Sequence, residues 1–122
     1  MKPIFLFAVI VLSLVFGSKD QLKGRWESKS ENGASFSIVF KDDNSFEGFM
    51  NKKAFVSGTY SYSQADSIFK FVDNGCAGVT GVYKINFYSN SDSMRFVVIN
   101  DSCTKRVSGM QRLQMGRVVN KY

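Results

Sequence analysis

The stretch TGVYKINFYSNSDSMRFVVIN, residues 80–100, decides the fold. Two runs rich in β-branched and aromatic residues, Thr80 to Tyr88 and Met94 to Asn100, flank a polar cluster of Ser, Asn and Asp. That pattern predicts a hairpin turning near Ser89 to Asp92. In such a hairpin, opposed residues have numbers adding to roughly 180. Tyr83, Ile85 and Phe87 then face Val98, Phe96 and Met94. All six share one side of the pleat, taken as the interior. Cys76 and Cys103, the only two cysteines, obey the same rule. They lie side by side at the hairpin's open end, within disulfide reach. The rival reading is a free or metal-bound pair. With no histidine in the chain, a zinc site would lack ligands.

Working outward, the same punctuation recurs along the chain. Predicted strands run from Gly24 to Ser30, Ser35 to Lys41, Ser45 to Met50, Ala54 to Tyr62 and Ser67 to Val72, before the hairpin. An eighth is predicted from Lys105 to Gln114. The tail from Met115 to Tyr122 reads as a further strand, a short helix or a disordered end. Short loops force antiparallel neighbours, so the strands form a meander. Closing it on itself removes both edges. The expected fold is therefore all-β: an eight-stranded antiparallel up-and-down barrel with one disulfide. A barrel of that size is filled by side chains or holds one small ligand.

The first residues read differently. Lys2 precedes an apolar run from Ile4 to Phe16, with Val15 and Gly17 placed as a cleavage site. Residues 1–18 are expected to be a secretory signal peptide and 19–122 the barrel domain. A buried N-terminal strand or helix is the alternative. The run is too short to span a membrane. Export fits a disulfide and places the protein outside the cell, or in the periplasm of a bacterium. Asn100-Asp101-Ser102 is a glycosylation sequon, with Asn100 the acceptor in a eukaryotic secretory path. The formal net charge is +6, but the basic residues are scattered. A nucleic-acid partner would require a concentrated stripe with interleaved aromatics. A solvated basic surface with weak affinity for acidic glycans or membranes fits better. A monomer is expected.

Without histidine, Ser-His-Asp and Cys-His catalysis are excluded, and the commonest metal ligand is missing. Most carboxylates sit in turn sequences, where they serve backbone geometry. No enzyme, no metal and no cofactor are expected. What remains is a wall of aromatics. Alternation places Trp26, Phe36, Ile38, Phe40, Tyr60, Phe69, Phe71, Tyr83, Ile85, Phe87, Met94, Phe96 and Val98 inward. Phe36, Ile38, Phe40, Tyr60, Phe69, Phe71, Tyr83, Phe87, Met94 and Phe96 are the candidate ligand-binding residues. Phe46 and Phe49 have opposite parity, so Gly48 is a candidate bulge. One of Phe46, Phe49 and Phe55 is a candidate for exposure at the barrel mouth.

Gly24-Arg25-Trp26, the Phe-rich strand leading to Asn44, and Gly58-Thr59-Tyr60 together resemble the lipocalins. Cys76, Gly81-Val82-Tyr83-Lys84 and the span from Asp101 to Arg106 extend the resemblance to small secreted members of the wider calycin group. The resemblance implies a structural plug at the closed end of the barrel. A basic residue on the last strand, Arg106 or Arg112, would pack over Trp26 there. Such stacking is physically sensible for a guanidinium on an indole. The chain is shorter than a typical lipocalin and shows no flanking C-terminal helix.

Two functional expectations follow. The first is a secreted barrel that binds a small hydrophobic, lipid-like molecule in an aromatic cavity. The second is the same scaffold with a filled interior, acting through its loops as an inhibitor or recognition module on a protein partner.

Overall fold

A computed structural model of the chain describes residues 21–29 and 34–118. The signal-peptide expectation for residues 1–18 lies outside them. Eight strands form one closed barrel in sequence order: β1 Gly24–Lys29, β2 Ser35–Phe40, β3 Ser45–Met50, β4 Lys53–Ser63, β5 Ile68–Asp73, β6 Gly81–Tyr88, β7 Ser93–Asn100 and β8 Gln114–Arg117. Every neighbouring pair is antiparallel. The barrel closes where Trp26 and Glu27 of β1 pair with Arg117 and Gly116 of β8. The strand meander and its closure are those expected from the sequence.

The β6–β7 hairpin has the anticipated register, with Tyr83 opposite Val98, Ile85 opposite Phe96 and Phe87 opposite Met94. Its turn carries Ser89, Asn90 and Ser91 in left-handed conformations, which short polar residues tolerate best. The disulfide joins Cys76 to Cys103 at the open end. Closing a loop of that length removes about 3 kcal/mol of unfolded-state entropy. Replacing both cysteines by serine is therefore expected to lower stability by about 3 kcal/mol, read as a lower urea midpoint with a slope no smaller than the parent's, because the unfolded chain without its cross-link exposes more surface. An unshifted midpoint would refute this role for the cross-link.

The expected eighth strand, Lys105 to Gln114, is corrected. Thr104–Met110 form a short helix, α1, and β8 starts only at Gln114, the last residue of the expected strand, and runs to Arg117 in the tail. The cause is tertiary. Cys103 is fixed by its disulfide, and its N–H donates to the Asp101 carboxylate. Its carbonyl then accepts from the N–H groups of Arg106 and Val107, which starts the helical turn. On α1 and just after it, Met110 and Leu113 pack against the barrel core. Propensity alone is a weak prior for a segment this short.

Gly48 is a bulge site, as its position suggested. Gly48 pairs with Val56, but Phe49 pairs with Ala54, leaving Phe55 as the extra residue. Bulges of this kind re-aim a side chain, and Phe55 is 63% exposed. A side chain at Gly48 would collide with Val56 and the Phe36 ring, so glycine lets that ring lie across β3. Phe46, of ambiguous parity in the sequence, is buried.

Candidate functional site

The interior is a continuous stack of rings. Phe40 meets Tyr60, Phe69 and Phe46 at centroid separations of 5.1, 5.7 and 6.3 Å. Phe69 continues to Phe71 at 5.1 Å and to Phe96 at 5.7 Å, and Tyr83 contacts Phe71 and Phe96. Offset and edge-on pairs at such distances are favourable. Of the candidate ligand-binding residues, Ile38, Phe40, Tyr60, Phe69, Phe71, Tyr83, Met94 and Phe96 are buried in this one core. Phe36 and Phe87 are only partly buried against it. Leu22, Phe46 and Met115 complete the core; Leu22 and Met115 lie in segments to which the sequence assigned no facing.

One end of the barrel is closed by Trp26, which is fully buried. Its indole N–H donates to the Leu22 carbonyl. The cation over the ring is Arg117, 4.3 Å from the centroid, rather than Arg106 or Arg112. Arg117 also donates to the carbonyls of Lys23, Gln21 and Ser91. It thereby ties the N-terminal segment, the β6–β7 turn and β8 together. Arg112 is exposed and donates to Ser108. The misplacement has one origin: with the last strand set too early, its arginines were the wrong ones.

Arg106 belongs to the opposite end. It reaches from α1 into a pocket of acids, with Nε 2.8 Å from Asp101 Oδ2 and Nη1 3.4 Å from Asp73 Oδ1. Nη2 donates to Asp101 Oδ1 and to the Val79 carbonyl, and the guanidinium lies 4.6 Å from the Phe71 ring. The Tyr83 hydroxyl donates to Asp101. Gly81 leaves the room: a Cβ there would press on Asp101, Arg106 and Tyr83. Asp101 has no exposed side-chain surface, and those of Asp73 and Arg106 are 8% and 7% exposed. Burial alone would raise the Asp101 pKa. The hydrogen bonds from Arg106, Tyr83 and the Cys103 N–H outweigh it and hold the carboxyl below its ordinary value. Burial, then the bonded and negative Asp101, pushes the Tyr83 phenol up. The bonded Asp101 raises Arg106 further. This is a structural latch of one guanidinium on two carboxylates, joining β5, β6, β7 and α1, with the disulfide beside it.

The latch shapes the charge of the two ends. In an up-and-down barrel alternate connections share an end. The β2–β3, β4–β5 and β6–β7 turns, at the Trp26 end, carry the exposed Asp42, Asp43, Asp66 and Asp92 against one exposed lysine, Lys41, which pairs with Glu47. At the other end, here called the rim, the β3–β4 turn carries exposed Lys52 and Lys53, and α1 begins with exposed Lys105. The acids described at the rim, Asp73 and Asp101, are the buried ones; Glu31, in the β1–β2 connection, lies outside the described residues. The rim also carries Phe55 and the 37% exposed Met50. Asn51 and Lys52 both adopt left-handed φ, the requirement of a two-residue hairpin turn. Asn51 ties that turn to β2 by two hydrogen bonds with Ser35.

Two open grooves lie on the outer surface. One, of about 270 Å3, runs along Thr59, Ser61, Lys70 and Val72. The other, of about 500 Å3, lies between β7 and α1 and includes Ile99, Asn100, Thr104 and Val107. Asn100, the sequon residue, is exposed at the end of β7. Among the described residues, no cluster of three acids or cysteines is placed to hold a metal, and no helix is long and apolar enough to cross a membrane.

Residues 12–82 match a family model described as a domain of unknown function, DUF3994. None of the curated proteins matches the chain.

Proposed function

Because the chain belongs to the DUF3994 family, whose function is unknown, we propose from its geometry that it is a secreted, non-enzymatic recognition module that binds through the rim of its barrel. The observation that carries this reading is the filled interior. Rings spanning β2 to β7 touch one another across the space that a carrier would leave for its ligand. A usual ligand site needs ~300 Å3 or more of concave, mostly apolar space. The rim, by contrast, presents an exposed phenylalanine at a β4 bulge beside a fixed turn. Exposed apolar surface rimmed by polar groups marks an interaction site. The lipocalin-like relationship is part of the proposal, supported by the Trp26–Arg117 stack at the closed end.

A carrier of a small hydrophobic molecule is the second reading. It is favoured by Phe36 and Val56, which are only half-buried beside Gly48 and form a shallow apolar mouth. The two readings separate in solution. Native mass spectrometry of the purified protein and titration with a polarity-sensitive dye are expected to show no co-purified lipid and no saturable one-to-one uptake. Saturable uptake competed by a lipid would replace the rim reading with the carrier. For the rim itself, a photo-crosslinking residue is placed at Phe55, at Lys70 on the wall, or at Asp43 at the far end. Crosslinks to extracellular material are expected from position 55 alone; equal labelling from all three sites would refute the reading.

A further inference from the structure

We propose that the rim docks peripherally on an anionic lipid bilayer surface, with Phe55 entering the interface and Lys52, Lys53 and Lys105 meeting the headgroups. The inference rests on the rim reading and names its partner. Three observations select a charged bilayer over a protein surface.

The first is charge. The four exposed acids of the connecting turns gather at the Trp26 end, where they outnumber the exposed Lys41, while the described rim exposes lysines and buries its two carboxylates under Arg106. The barrel is thus polarised along its axis, with its positive end outward at Phe55. Such a molecule orients in the field of an anionic surface before contact.

The second is shape. Phe55 is an extra residue at a bulge, 63% exposed, at the end of a hairpin. A projecting side chain needs a pocket on a folded partner but only a fluid interface on a membrane. Its ring rests edge-on against Phe36, 6.5 Å away, which supports it from behind without covering it. Met50, at the same end, adds apolar surface.

The third is rigidity. The turn is held in left-handed geometry and pinned to Ser35, so little ordering cost falls due on binding. Lysine stems also cover apolar surface while their ammonium groups stay in the headgroup layer.

The test is co-sedimentation of the full mature protein with phosphatidylserine–phosphatidylcholine vesicles, against pure phosphatidylcholine. Binding to the anionic vesicles alone is expected, and raised salt should weaken it. Lys52→Asn with Lys53→Gln should weaken partition about thirtyfold, each lysine contributing about fivefold or slightly more. Phe55→Ser should also weaken it, with the salt dependence retained. The wall pair Lys70→Gln with Lys84→Gln makes the same net-charge change and should leave binding within about twofold if the rim is what docks. Urea midpoints of all variants confirm folding. Absence of anionic preference, or equal loss in the wall pair, overturns the proposal. If vesicles fail while position 55 still crosslinks to a protein, the lipid partner is wrong and the rim reading stands. If both fail, the rim reading falls too.

Discussion

Replacing Arg106 with methionine is expected to cost about 3–5 kcal/mol at neutral pH, because it strands a buried carboxylate pair. Methionine preserves much of the volume and the contact with Phe71. What it removes is the one cation among the described residues that reaches both Asp73 and Asp101. Asp101 would keep the Tyr83 hydroxyl and the Cys103 N–H, which are too few to hold a fully buried charge. The measurement is urea unfolding followed by circular dichroism. A loss under about 1 kcal/mol would show that the latch contributes no more than a surface ion pair.

The pH dependence distinguishes this cause from simple loss of packing. In the parent protein the Asp101 pKa lies below its ordinary value of 3.8. Its stabilising contribution is therefore present above that value and lost as pH falls through and below it. The variant inverts the sign. Without Arg106, burial raises the Asp101 pKa in the folded state, so acidification neutralises the stranded charge and recovers stability. Tyr83 adds an alkaline limb to the parent. Its folded pKa is raised from 10.0, so its contribution is complete below that value and lost at higher pH. A variant whose stability fell with acid as steeply as the parent's would refute the electrostatic account.

How much of this was legible in the sequence depended on where local signals and tertiary demands agreed. The β6–β7 hairpin was legible because two independent constraints, residue alternation and cysteine placement, gave one register. Phe40, Phe69, Tyr83 and Phe96 followed from period-two patterning, which holds wherever one face of a strand is buried. The segment after Cys103 was not legible. Val107 and its neighbours are compatible with a strand, and the helix is selected by contacts distant in sequence: the disulfide to Cys76 and the acids that draw Arg106 inward. Asp73 and Asp101 looked like turn residues. Asp101 does accept a turn-type bond from Cys103, but the same carboxylate also receives Arg106 and Tyr83. A charge's burial cannot be read from a residue whose local role is already satisfied. The polarity of the two ends was hidden for a related reason. The exposed aspartates look scattered along the chain until the meander sorts alternate turns to opposite ends.

The closing stack should be the other costly site to disturb. Trp26→Ala is expected to lose about 3–5 kcal/mol, the usual range for removing a large buried aromatic side chain. Trp26 touches Phe87 at 6.1 Å, lies under Arg117 and anchors Leu22 through its N–H. Its loss therefore opens a void exactly where β8 completes the barrel over a few residues. Arg117→Met removes three carbonyl contacts from a partly exposed side chain and should cost about 1–2 kcal/mol. Combining the two should cost less than their sum by about 1 kcal/mol, since the stack can be lost only once. Arg112→Met, on an exposed residue bonded only to Ser108, should stay within about 0.5 kcal/mol. Trp26 is the only tryptophan, so unfolding of this set is followed by circular dichroism. Strict additivity of Trp26→Ala and Arg117→Met would remove the stack as the device that shuts the barrel. A large loss at Arg112 would return the plug to the residue named by the lipocalin resemblance.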